Sequence, residues 1–120
     1  MFKYLVVILI IINFQSCYYN NEEELVGITV CDTTVVKYNA DVSKIIETNC
    51  LVCHSTVAKQ GDIVLEGYNN IKAYANKGGR LIGAIKHLNG YSPMPKNLSM
   101  LNDCDIAKIE KWINDGASNN

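Results

Sequence analysis

A chain of 120 residues carries one small domain, and with Lys+Arg 11 against Asp+Glu 12 its formal charge is −1. That balance lacks the basic excess of a nucleic-acid-binding surface, so nucleic acid is not an expected partner. Five cysteines are an odd number for a short chain and need separate explanations.

The chain opens with Lys3 and an unbroken apolar run from Leu5 to Ile12. This layout predicts a secretory signal over residues 1–16, because the run falls short of the ~20 apolar residues that span a bilayer. A membrane-anchor helix is the competing reading. The segment ends in NFQSC, with small Ser16 directly before Cys17. It resembles the lipobox of bacterial lipoproteins, in which the cysteine is acylated and becomes the new N-terminus, although Phe14 stands where leucine is usual. Cleavage as a plain secretory signal is the alternative. Removing residues 1–16 takes away Lys3 and no acid, so Lys+Arg falls to 10 against 12 acids and the charge becomes −2. The acids of NNEEE, residues 20–24, read as a solvated tether. Such a run also resembles a cell-surface export signal of some bacterial groups. Residues 17–38 lack a helical period and are expected to form this tether and an extended arm.

The domain is expected over 39–120. NADVSKIIETNC predicts a helix, capped by Asn39 or Asp41 and buried through Val42, Ile45 and Ile46. A loop follows, with a short apolar piece at Ile63–Leu65. NNIKAYANKGG predicts a short helix capped by Asn70, with glycines at its end. RLIGAIKHLNG predicts another, closed by Asn89-Gly90. In YSPMPKN two prolines bar regular structure. The last helix begins at Asn102 or Asp103, carries Ile106, Ile109, Trp112 and Ile113 on one face, and stops at Gly116. So few apolar residues suit a fold that packs around a bulky cofactor.

CLVCH, residues 50–54, carries the chemistry. On a helical turn Cys50, Cys53 and His54 share a face. Two thiols at this spacing can bond the two vinyl groups of a haem while the adjacent histidine reaches the iron. Zinc is a competitor, but it needs four ligands and the only other histidine is His87. A thioredoxin-like disulfide is another, but it expects a βαβ pattern. Electron-carrying haems commonly add a methionine opposite the histidine. Met94, gripped by Pro93 and Pro95, is the favoured sixth ligand, with Met100 and His87 as rivals. If Cys17 carries lipid and Cys50 and Cys53 hold haem, Cys31 and Cys104 are left for each other, and export permits a disulfide. That pairing rests on counting, and two free thiols remain the alternative.

With CLVCH, YSPMPKN and IAKIEKWINDGA in order, residues 40–117 resemble the single-haem class I cytochromes c, most closely the small domains of bacterial lipoproteins. The resemblance implies an all-α fold around one covalently bound haem c, with first and last helices crossing. Cys50 and Cys53 match the thioether cysteines, His54 the proximal ligand, Met94 the distal ligand and Trp112 the aromatic position of the last helix. The arm carrying Cys31 lies outside the family pattern. The expected function is one-electron transfer between redox partner proteins of the cell envelope, not enzymatic catalysis. The protein would be exported and lipid-anchored at Cys17 to the bacterial membrane, facing the periplasm or the cell surface. The alternative functions are a haem enzyme or sensor of peroxide or gas, with a displaceable distal ligand, and a structural lipoprotein without haem.

Overall fold

The computed structural model describes residues 30–76 and 79–120. The expected signal, Cys17 and the acidic run lie outside the described residues. Residues 31–120 form one compact unit. It is helical, and no strand occurs among the described residues. No helix among them is long and apolar enough to cross a membrane.

A π-helical turn, Tyr38–Val42, runs into α1, Ser43–Asn49. The backbone kinks at Cys50 (φ −120°, ψ −37°), and α2, Leu51–His54, completes one further turn. Two helices follow, α3, Tyr68–Ala75, and α4, Arg80–Ile85. The chain closes with α5, Asp103–Asn114.

Three helix ends differ from the sequence-based expectation. The first helical segment starts at Tyr38, one residue before the expected domain boundary, and neither Asn39 nor Asp41 is its N-cap. Asp41 sits inside the first turn, and its carboxylate accepts the backbone N–H of Lys37 at 3.0 Å. That bond, and then the Lys108 ammonium at 3.0 Å, holds the Asp41 carboxyl below the ordinary carboxylate range. Asn70 is not a cap either, because α3 begins after Gly67, whose φ of +84° suits a residue without Cβ. The Asn70 amide donates back to the Glu66 carbonyl instead. The helix from Arg80 ends at Ile85, well before Asn89-Gly90. His87 takes the left-handed position (φ +51°) that ends it. Its N–H donates to the Ala84 carbonyl and the Leu88 N–H to that of Gly83. These bonds form the Schellman arrangement, in which glycine or asparagine is usual and histidine is not.

The C-terminal helix follows its pattern closely. The Asn102 side chain accepts the Asp105 N–H as N-cap, and Ile106, Ile109 and Trp112 are buried. Beyond Gly116 (φ +95°) the chain folds back. The Trp112 indole N–H donates to the Ser118 carbonyl and the Tyr68 hydroxyl to that of Ala117, both at 2.8 Å. The Tyr38 N–H donates to the Asn120 side chain. Tyr38, Tyr68 and Trp112 form an aromatic cluster with centroids 5.1–6.5 Å apart. This cluster joins α5, α3 and the first helical turn, so the two ends of the folded unit are packed together. Cys31 and Cys104 are joined by a disulfide with Cα atoms 5.4 Å apart, which fastens the segment before the first turn to the start of α5.

Candidate haem site

α1 carries the chain to the site and α2 presents it. The Cys50 N–H donates to the Ile46 carbonyl, so the helical bond pattern crosses the kink. The Cys50 carbonyl then accepts the N–H groups of Cys53 at 3.1 Å and His54 at 2.9 Å. This single turn brings Cys50, Cys53 and His54 to one cavity of about 1020 Å³. Ordinary ligand pockets hold roughly 300–1,000 Å³, so the space suits a large cofactor. Met94 lines the same cavity, whereas Met100 and His87 do not. Leu65, Leu81, Ile85 and Leu101 supply apolar wall. Arg80 and Lys96, both exposed to solvent, also line it.

His54 is buried, with 9 % of its surface exposed. Its Nδ1 lies 3.3 Å from the Ile63 carbonyl oxygen. A carbonyl only accepts, so Nδ1 carries a proton, and in the neutral imidazole the lone pair is on Nε2. A ring held this way is oriented for metal ligation through Nε2. The Leu65 N–H donates to the His54 carbonyl at 2.8 Å and ties the same loop to the turn.

Both thiols of the trio are free. Burial, and then the neighbouring Cys53, pushes the Cys50 thiol up to about 11. A redox-active C-x-x-C pair works through a lowered thiol pKa. Cys50 is shifted the other way and stays protonated at neutral pH. Among the described residues, no group of three or more His, Cys, Asp or Glu side chains is placed to hold a metal ion.

Met94 is held through its backbone. Its N–H donates to the Ala84 carbonyl at 3.0 Å, at the end of α4. Its carbonyl oxygen lies 3.0 Å from His87 Nε2. The Tyr91 ring, also on the cavity wall, lies directly against Gly83 of α4. A Cβ at Gly83 would stand 2.5 Å from the ring's Cγ. Gly83→Ala is therefore expected to push Tyr91 off the helix at a cost of about 1–3 kcal/mol, the usual range for overpacking. Thermal unfolding of the variant checks this, and an unchanged melting temperature would contradict the packing argument.

The Ile63 and Ala84 carbonyls, the Gly83–Tyr91 contact and the two cavity-lining cations were not identified from sequence. Backbone acceptors leave no mark on residue type. The glycine at 83, inside an otherwise helical pattern, is the one available signal of a close approach.

No protein family, curated protein or solved structure matches this chain.

Proposed function

We propose that the protein is a c-type cytochrome that carries single electrons in the bacterial cell envelope. The observation that carries this reading is the one cavity lined by Cys50, Cys53, His54 and Met94. The donor set fits haem c. Two unpaired thiols stand three residues apart, and each S–H can add across one vinyl double bond, its hydrogen passing to the adjacent carbon, with no net oxidation. His54 offers Nε2 as the proximal ligand and Met94 its thioether as the distal one. Arg80 and Lys96 bring positive charge to a site that would receive a cofactor with carboxylates. On this reading the helical unit is a small cytochrome c-like fold, a reading supported by the packing of the last helix against the first helical turn.

Bound haem would supply a reversible one-electron couple. The chain's own part would be to hold the group through Cys50, Cys53, His54 and Met94, exclude water and set the potential. Were His54 and Met94 both to hold the haem iron, no position would be left open for substrate, which favours a carrier over an enzyme. His87 is the one further histidine that a peroxide-cleaving site could use as its acid–base group. Its ring is engaged with the Met94 carbonyl, which favours the carrier again. Partners are then redox proteins of the envelope, and Cys17, as the lipid-bearing residue, would tether the carrier to the membrane.

Expression in a host that matures c-type cytochromes tests the reading. The folded protein should gain the mass of one haem, and its colour should survive acid–acetone extraction. The Cys50→Ala/Cys53→Ala variant should lose both properties. Colour that extracts freely from the wild-type protein would overturn the proposal.

A further inference from the structure

We propose that His87 is the positioning residue of the sixth ligand, acting through its ring on the Met94 backbone. The inference rests on the reading of Met94 as a haem ligand and extends it to a residue outside the cavity wall. His87 Nε2 and the Met94 carbonyl oxygen are 3.0 Å apart. The carbonyl must accept, so Nε2 bears the hydrogen. The Met94 N–H is meanwhile bound to the Ala84 carbonyl. The backbone N–H and C=O of Met94 are thus both anchored to the end of α4, one to its backbone and one to the residue that terminates it.

The backbone of His87 supports this role. It occupies the left-handed position after α4 with φ +51°. Glycine or asparagine holds such a position at lower steric cost. Histidine holds this position at some steric cost and places a ring donor where neither glycine nor asparagine would reach. Strain of this kind persists where the surroundings over-determine it, commonly at functional sites. The Leu88 N–H bond to Gly83 and the Tyr91 N–H bond to Leu88 shape the intervening loop, so the ring closes a small hydrogen-bonded circuit that ends at Met94.

In a haem protein with histidine and methionine ligands, the firmness of the methionine is read by competition. An external base such as imidazole binds ferric iron only when the thioether has left, so its apparent affinity rises with the detached fraction. His87→Gly relieves the turn and removes the ring. His87→Asn also suits the turn and is too short to reach the Met94 carbonyl. Both should bind imidazole about three- to tenfold more tightly than wild type, the effect of losing one hydrogen bond. Both should also weaken the sulfur-to-iron charge-transfer band, while melting no lower than wild type. His87→Gln, which carries an N–H donor near the place of Nε2, should return the imidazole affinity toward the wild-type value.

Wild-type affinity and full band intensity in both the Gly and Asn variants would overturn the positioning role. A failure of the ligand reading looks different. In that case wild type shows no charge-transfer band, or Met94→Ala keeps it, and the proposal for His87 falls with that reading. A loose band in His87→Gly that is not restored in His87→Gln would also count against the hydrogen bond as the cause.

Discussion

Met94→Ala is expected to abolish the charge-transfer band of sulfur-ligated ferric haem and to lower the reduction potential. The fall should be on the order of 0.1–0.3 V, within the roughly 0.8 V over which axial ligands set haem potentials. A thioether favours the reduced iron, and methionine opposite histidine raises the potential relative to two histidines. Three side chains after His54 offer themselves as sixth ligand. Met94 alone lines the cavity that Cys50, Cys53 and His54 also line. Met100 is 42 % exposed and lies outside that wall. The His87 ring is bound to the backbone of Met94 itself. Optical spectra and potentiometry of Met94→Ala and Met100→Ala separate the two methionines. If Met100→Ala removes the band and Met94→Ala keeps it, the assignment is wrong.

The sequence carried different parts of this molecule to different degrees. The last helix was legible because three local signals agreed: a capping asparagine at 102, an apolar face at 106, 109 and 112, and a glycine after the last turn. The other helix ends were set by contacts that residue type does not announce. Asp41 turned its carboxylate back to the Lys37 N–H instead of capping forward. Gly67 opened α3, and His87 closed α4 in a left-handed conformation uncommon for residues other than glycine. The candidate site divides in the same way. Cys50, Cys53 and His54 lie on one turn, so spacing alone placed them on one face. Met94 stood out through its flanking prolines. Its N–H bond to Ala84, the Ile63 carbonyl on the His54 ring and the seat of Tyr91 on Gly83 depend on how the chain folds back. They are readable only from the structure.

Removal of the Cys31–Cys104 disulfide is expected to cost about 4 kcal/mol, from the loop-closure entropy that the cross-link withdraws from the unfolded chain. The separation is 73 residues and spans the whole candidate site. Small domains have only about 5–15 kcal/mol of net stability, so this link would hold a large share of it. The placement suits that effect. Cys31 precedes the first helical turn and Cys104 lies in the first turn of α5, so the bond links the same two regions of the chain that the buried Tyr38–Trp112 packing also joins. The pairing also leaves Cys50 and Cys53 as thiols. The test is urea unfolding of the haem-loaded Cys31→Ser/Cys104→Ser double variant beside wild type, because a single substitution would leave a stray thiol. The midpoint should fall sharply. A loss below about 1 kcal/mol, well under the usual range of 2–4 kcal/mol for such bonds, would mean that the Tyr38, Tyr68 and Trp112 packing already keeps the two ends together without the cross-link.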